Sequence, residues 1–234
     1  MRNYLKFRIN LEVFMITFDA VRQDPEVRML IEKADQVMIA IGYTEHSHAH
    51  VMQVAVTAER ILSALDFPAR DIEIAKIAAY LHDIGNLVNR VNHAHSSAIL
   101  AAPILRRLGA EPDELADILS IIGHHDEKSA AVISPLAAAV IIGDKADVRR
   151  SRVRSLLNDP DFDMHDRVNY SVKQARVEID PEAKSLTMIG SLDPEMSSVV
   201  EFFEAFLPRM ILCRKAAESL GLQFHLRIND ADLL

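Results

Sequence analysis

The chain has 234 residues, of which 50% are hydrophobic and 26% charged, and its formal net charge is −8. That balance is typical of a soluble globular protein with one or two domains, and the negative charge argues against a broad nucleic-acid-binding face. The single cysteine, Cys213, excludes an intrachain disulfide and favours a reducing, cytoplasmic compartment.

The apolar stretches are too short for an export or membrane segment. The run Val13–Phe18 is followed by Asp19, so we do not expect a signal peptide. Uncharged stretches such as ISPLAAAVIIG fall short of the roughly 20 residues that a membrane span needs. We therefore expect no membrane partner.

The first part of the chain has the spacing of helices. Residues 10–40 predict two helices that break at the Asp24-Pro25 pair, where Pro25 suits a first helical turn. Apolar residues recur at helical spacing after Thr44, and this third helix ends at Phe67.

The segment 72–84, IEIAKIAAYLHDI, is apolar on nearly every face, which predicts a helix through the middle of the domain. Asp71 is a plausible N-cap, and Gly85 stands where a left-handed C-terminal residue is favoured. His82 and Asp83 close this helix. Burying two such groups costs several kcal/mol unless a partner pairs with both.

The rest of the chain changes from helical to strand periodicity. Further helices are predicted at 96–108, 112–122, 135–158 and 164–174. Alternating residues then predict strands at 176–180, 185–190 and 223–229, with a helix at 194–220 between the second and third.

The predicted fold is therefore mainly α. A helical domain covers residues 1–174, and a strand–strand–helix–strand unit with a small antiparallel sheet covers residues 175–234 and packs on it.

Histidines are concentrated in one part of the sequence. Asp144 adds a carboxylate inside the apolar run AAAVIIGDKADV. Imidazole and carboxylate donors together suit Fe, Mn, Co, Zn or, with fewer nitrogens, Mg, and a divalent ion would turn these costly buried groups into ligands. Eight of the ten histidines lie in this region: His46, His48, His50, His82, His93, His95, His124 and His125.

Four strings in this order resemble the HD-domain superfamily of metal-dependent phosphohydrolases of the HDIG type. They are LHDIG, HAHSSAIL, GHHDE and GDKADVRRSRVR. The resemblance covers roughly residues 44–155 and implies an all-helical fold named for its His-Asp pair. The string HAHSSAIL resembles the family's third-histidine segment, and its register favours His93 over His95 as that histidine.

The resemblance also implies ligands for one or two divalent ions, whether Fe, Mn, Co, Ni, Zn or Mg. The first ion would be held by His50, His82, Asp83 and Asp144. Asp83 would bridge to a second ion held by His93 and by either His124 or His125, a choice that the sequence leaves open. His82 and Asp83 would also be the catalytic pair, with Asp83 orienting the attacking water.

Two features concern the substrate. Lys145, Arg149, Arg150 and Arg152 are candidates for binding its phosphate, although these arginines could equally form a solvated helix face. Some cyclic-dinucleotide phosphodiesterases of the superfamily carry a glutamate ligand four residues before the first histidine, where this chain has His46, and they also carry a GYP segment, which is absent here.

The implied function is hydrolysis of a phosphomonoester or phosphodiester of a small nucleotide-like molecule by metal-activated water. A mixed-valent di-iron oxygenase of the same fold is one alternative. A non-catalytic metal- or nucleotide-binding module is another. The expected partners are a small phosphorylated substrate and, with the C-terminal unit as a contact surface, a second copy in a homodimer.

Overall fold

The computed structural model describes residues 15–154 and 162–233. Its helices are α1 (Phe18–Gln23), α2 (Pro25–Ala40), α3 (His48–Ala64), α4 (Ala69–Leu81), α5 (His93–Arg107), α6 (Pro112–Gly123), α7 (Pro135–Ala146), α8 (Met164–Ser171) and α9 (Val199–Ser219). Its strands are β1 (Val172–Asp180), β2 (Ser185–Leu192), β3 (Gln223–Ile228) and β4 (Ala231–Asp232). The predicted mainly helical fold with a small C-terminal sheet is confirmed.

The predicted break between the first two helices lies at Asp24. Its side chain accepts hydrogen bonds from the backbone N–H groups of Glu26 and Val27, which caps α2, and Pro25 occupies the first turn. The guanidinium of Arg107, at the end of α5, donates to both Asp24 oxygens at 2.8 and 3.0 Å. Residues 10–14 of the predicted pair lie outside the described residues.

Helix α4 is the centre of the helical part. It packs against α3, α6 and α7, and its residues Ile77–Leu81 are all buried. The predicted central position of this segment is confirmed. Because α4 ends at Leu81, its last turn delivers His82 and Asp83 into the interior.

Two glycines let the neighbouring helices approach this point. A Cβ on Gly85 would overlap the backbone carbonyl oxygen of His93 and the amide nitrogen of Ser97, so the start of α5 can lie directly against the turn after α4. A Cβ on Gly143 would lie 2.8 Å from the carbonyl oxygen of Val54, which sets the close contact of α7 with α3.

The prediction that Gly85 adopts a left-handed conformation is wrong. Gly85 lies within a 3-10 turn, Ile84–Leu87, and is not among the glycines with positive φ. The residue is required for the space that it leaves to the backbone of α5. Its N–H donates to the side-chain oxygen of Ser97 at 2.8 Å, which fixes that contact.

Helix α7 is shorter than predicted. It ends at Ala146 because the chain turns at Asp147, and a 3-10 turn follows at Arg150–Arg152. The guanidinium of Arg152 donates to the carbonyl oxygens of Glu45 and Asp147, which holds this turn against the segment before α3. The predicted residues 155–158 lie outside the described residues.

The C-terminal strands form a mixed sheet in the order β1-β2-β3-β4. β1 pairs with β2 in antiparallel fashion, but β2 and β3 are parallel, so the prediction of an antiparallel sheet is wrong for this pair. The reason is α9, which links β2 to β3 and returns the chain to the end of the sheet where β2 began. Strand β1 starts at Val172, directly after α8, so that helix is also shorter than predicted.

Helix α9 packs on α7 and joins the sheet to the helical part. The division into a domain 1–174 and a unit 175–234 stays a prediction. None of the helices in the described ranges is long and apolar enough to cross a membrane.

Replacing Gly85 with alanine should lower the free energy of unfolding by about 3 kcal/mol, because the atoms that a Cβ would overlap belong to backbone and cannot rotate away. Gly123→Ala is the matched control, since a Cβ there meets nothing within 4 Å, and it should change stability by less than about 0.5 kcal/mol. Urea unfolding followed by circular dichroism compares the two variants. Equal stability would contradict the steric argument.

Replacing Asp24 with alanine removes the cap of α2 and should cost about 1 kcal/mol. Asp24→Asn keeps a capping oxygen, removes the charge and replaces the second oxygen, which accepts from Arg107, with an NH2 group. Hydrogen bonds from Arg107 lower the pKa of Asp24 although burial opposes the shift. The charge therefore stabilises the fold fully above the unfolded pKa of about 3.9, and this stabilisation is lost as pH falls through the folded pKa. In urea unfolding, the difference in free energy of unfolding between Asp24→Asn and the parent should therefore disappear below about pH 4. A difference that persists there would contradict the stabilising role of the Asp24 charge.

Candidate metal centre

Six ionisable side chains from five parts of the chain meet between the central helices. They form three overlapping groups whose ligand atoms lie within 4.8 Å of one another in each group. Five of the six are buried, and the carboxylate of Asp144 is 12% exposed. The six residues are His50, His82, Asp83, His93, His125 and Asp144.

Each imidazole of this cluster is anchored through Nδ1. A carbonyl or an ionised carboxylate can only accept, so in every case Nδ1 holds the proton and Nε2 carries the lone pair. A histidine that binds a metal through one nitrogen and donates from the other shows the same pattern. The acceptors are Asp147 Oδ2 for His50 (2.8 Å), the carbonyl of Ala79 for His82 (2.7 Å), that of Arg90 for His93 (3.1 Å) and that of Ile122 for His125 (2.7 Å).

The Nε2 atoms of His82 and His50, which carry lone pairs, face carboxylate oxygens, which can also only accept. Nε2 of His82 lies 3.2 Å from Asp83 Oδ2, and Nε2 of His50 lies 3.4 Å from Asp144 Oδ1. Neither Nε2 has a hydrogen-bond partner among the described residues. Because buried lone pairs repel unless a cation or a proton lies between them, this donor set fits a divalent ion.

Asp83 divides the cluster in two. Its Oδ2 faces His82 and His50, at 3.2 and 3.6 Å from their Nε2 atoms. Its Oδ1 faces His93 and His125, at 3.3 and 3.9 Å. The two oxygens of one carboxylate therefore serve two separate sets of imidazoles. The Nε2 atoms of His93 and His125 are themselves 3.1 Å apart.

The environment keeps both carboxylates charged. Burial opposes ionisation of Asp83, but His82 and His46 outweigh it and hold its pKa well below the usual range. Burial also opposes ionisation of Asp144, and the ammonium of Lys145 at 2.6 Å together with His50 keeps its pKa well below the usual range.

The imidazoles differ in their protonation. Burial holds the pKa of His46 and His125 well below the usual range, so both are neutral at neutral pH. Burial also opposes protonation of His82, but Asp83 and Asp144 outweigh it and raise its pKa. The neutral rings of His46 and His125 beside two ionised carboxylates make an environment that attracts cations.

Of the two adjacent histidines, the structure brings His125 to the cluster. Helix α6 ends at Gly123, and His124 turns away so that its Nδ1 donates to the carbonyl of Ser120 at 2.8 Å. The side chain of His125 is 1% exposed and faces His93.

The other histidines of the region differ in their placement. His95 is exposed. His46 is buried, its Nδ1 donates to the carbonyl of Thr44 at 2.7 Å, and its Nε2 lies 3.9 Å from Asp83 Oδ2. His46 therefore lies inside the protein, at the edge of the cluster.

The four predicted phosphate-binding cations have different surroundings. Lys145 is buried against Asp144, and Arg149 donates to the carboxylate of Asp147 at 2.5 Å. Arg150 packs over the ring of Tyr170 and reaches toward the C-terminal unit, and Arg152 is buried on backbone carbonyls. The guanidinium groups of Arg150 and Arg152 thus hold the chain in place, and a role for these four cations in binding phosphate stays a prediction.

Two residues near Asp83 carry no signal that the sequence analysis recognised. Asn86 is fully buried, and its amide donates to Asp83 Oδ1 at 2.8 Å. Arg90 donates from Nη1 to Asn86 and lies 3.3 Å from Nε2 of His93. Their spacing of three and seven residues from Asp83 is the one feature that could have pointed to them.

Comparison with known proteins agrees with this geometry. Residues 48–149 match the family model described as HD domain, a range that contains all six cluster residues. Ribonuclease Y of Opitutus terrae is 29% identical over 131 residues, which cover 56% of this chain and 23% of that protein. An uncharacterized protein of Methanocaldococcus jannaschii, MJ1020, is 25% identical over 184 residues, which cover 69% of this chain and 70% of that protein.

The chain spans less than a quarter of the length of the ribonuclease Y that it matches. What the two proteins share is the segment that carries the cluster. Residues 48–149 of the chain therefore match an HD domain.

Proposed function

We propose that the chain is a metal-dependent hydrolase that cleaves a phosphomonoester or phosphodiester of a small, nucleotide-like molecule. The observation that carries this proposal is the position of Asp83, whose two oxygens face two separate sets of imidazoles. A bridging carboxylate between two ions a few ångströms apart is the arrangement that phosphoester hydrolysis uses to hold both the attacking and the leaving oxygen.

The ligands divide accordingly. By the distances between their ligand atoms, His50, His82 and Asp144 would hold one ion with Asp83 Oδ2, and His93 and His125 would hold a second with Oδ1. Four imidazole nitrogens favour Mn, Fe, Co, Ni or Zn over Mg, which prefers oxygen ligands.

The chemistry follows from the charges. When bound, such ions neutralise the phosphate oxygens and acidify a water molecule, so that a nucleophile is available near neutral pH. Asp83 stays ionised and can orient the proton that the water retains. Lys145 holds the second oxygen of Asp144 at 2.6 Å, which leaves Oδ1 directed at His50 and His82.

The relative from Opitutus terrae and the net charge of the chain both constrain the class of substrate. The name of the relative from Opitutus terrae describes an enzyme that acts on RNA, and the shared segment supports phosphodiester chemistry here. The net charge of −8 disfavours a long nucleic acid bound along the surface. A small phosphorylated molecule satisfies both constraints.

The nitrogen-rich ligand set also supports a second candidate, a di-iron oxygenase. Four imidazoles and two carboxylates are donors that iron accepts readily. The two activities separate cleanly in experiment. An oxygenase consumes oxygen and needs it for turnover, whereas a hydrolase releases phosphate or a phosphomonoester equally well without oxygen.

Replacing Asp83 with asparagine should reduce hydrolysis and metal loading together. Protein loaded with Mn or Co is assayed with an aryl phosphate, an aryl phosphodiester and a panel of nucleotides, and its metal content is measured by mass spectrometry. Asp83→Asn should reduce turnover by on the order of 100-fold or more and lower the metal content. Asp113→Asn, which removes an exposed carboxylate from the first turn of α6, is the matched control and should behave as the parent. Full activity in Asp83→Asn would remove the proposal.

The adjacent histidines offer an internal comparison. His125→Ala removes an Nε2 that lies inside the cluster and should weaken binding of one ion by at least roughly 10- to 100-fold. His124→Ala removes a ring that turns toward Ser120 and should leave metal affinity unchanged. Titration with Co(II), followed by its visible absorption, measures both affinities. The reverse order of effects would exclude the division of ligands given above.

A further inference from the structure

We propose that Arg90 binds the phosphate group of the substrate at the edge of the metal centre. The inference rests on the proposed function and deepens it by naming a residue that holds the substrate. No motif in the sequence analysis assigned a role to Arg90.

The first observation is the position of the guanidinium. Nη1 lies 3.3 Å from Nε2 of His93 and 3.2 Å from the side-chain oxygen of Asn86. The backbone carbonyl of Arg90 accepts the Nδ1 proton of His93 at 3.1 Å. The backbone carbonyl of Arg90 therefore orients the His93 ring through Nδ1, and the guanidinium places its positive charge beside the lone pair on Nε2 of the same ring.

The second observation is the support of the side chain by Tyr43. The guanidinium carbon lies 5.5 Å from the centre of the Tyr43 ring, which is within the range of a cation–π contact. Tyr43 is 46% exposed, and Arg90 is half-buried, so the guanidinium lies where the cluster meets solvent. A ring stacked on the guanidinium restricts its orientation and lowers the entropy lost when it binds a ligand.

The third observation is the balance of charge around the cluster. Lys145 is paired with Asp144 at 2.6 Å, and Arg149 is paired with Asp147 at 2.5 Å. Within the part of the chain that the structure describes, no carboxylate oxygen forms an ion pair with Arg90. The acceptors of Arg90 are the neutral oxygen of Asn86 and the neutral nitrogen of His93.

These observations together favour an anion as the partner of Arg90. Once Nε2 of His93 donates its lone pair to an ion, Nη1 of Arg90 loses that acceptor and lies beside a further positive charge. A phosphate group resolves both problems, because one oxygen can contact the ion while another accepts from the guanidinium. A planar guanidinium suits the two free oxygens of such a group better than an ammonium does.

The test measures phosphate binding directly. Protein loaded with Mn is titrated with inorganic phosphate by calorimetry, and metal content is measured on the same samples. Arg90→Met should weaken phosphate binding by roughly 10- to 100-fold, the range expected for a charged hydrogen bond, and leave the metal content unchanged. Arg90→Lys should lie between Arg90→Met and the parent. Arg106→Met removes an exposed arginine from the last turn of α5 and should bind phosphate as the parent does.

Kinetics give a second readout on any substrate that the parent hydrolyses. If the Arg90 guanidinium contacts the phosphate in both the ground state and the transition state, Arg90→Met should raise KM more than it lowers kcat.

The outcomes separate this inference from the proposed function. Unchanged phosphate binding in Arg90→Met, or no binding by the loaded parent protein, would overturn the role of Arg90 while leaving hydrolysis to stand on its own assay. Loss of metal in Arg90→Met would also overturn it, because Arg90 would then act by positioning His93. Phosphate binding that depends on Arg90 in a protein that hydrolyses nothing would support the anchor and remove the proposed function.

Discussion

The structure depends on one buried charge, the carboxylate of Asp83. A carboxylate in a protein interior costs several kcal/mol unless its charge is compensated on all sides. Here imidazoles face both of its oxygens, and Asn86 donates a further hydrogen bond. The surrounding helices serve this arrangement. Helix α4 brings Asp83 to the centre, the bare backbone of Gly85 lets α5 approach, and α7 brings Asp144 from the opposite side.

The polar contacts continue outward from the cluster to the segment before α3. His50 donates to Asp147, Asp147 accepts from Arg149, and Arg152 links the same turn to the carbonyl of Glu45. The ring orientation of His50 is thus set by groups that also fix the backbone beside the cluster. A ligand residue held in this way loses little conformational entropy on binding an ion, which is the usual benefit of a supporting hydrogen bond.

Much of the centre could be predicted from the sequence because its residues stand at helix ends in otherwise apolar segments. That His50, His82 and Asp83 would share one site was implied by the resemblance to HD-domain proteins. The choice between His124 and His125 depended on the last residue of α6, and the end of a helix cannot be predicted from sequence to within one residue. The role of Gly85 is a contact with α5, which no local pattern encodes. Arg150 and Arg152 found partners that lie far along the chain, and the pairing of β2 with β3 follows from the path of α9 in space.

The parallel pairing of β2 with β3 has a consequence for the order of folding. Ser185 pairs with Gln223, so the connection between the two strands, which contains α9, must cross over before they can join. Closing a long loop before any pairing energy is gained slows assembly, whereas helices packed on their sequence neighbours form quickly. The segments that carry the six ligands all precede residue 147, and α3 packs on α4 and α5 on α6, each pair consecutive in the chain, whereas α7 packs on α3 from further along the sequence. The helical part can therefore collapse first, with the sheet added as a later and slower step during refolding.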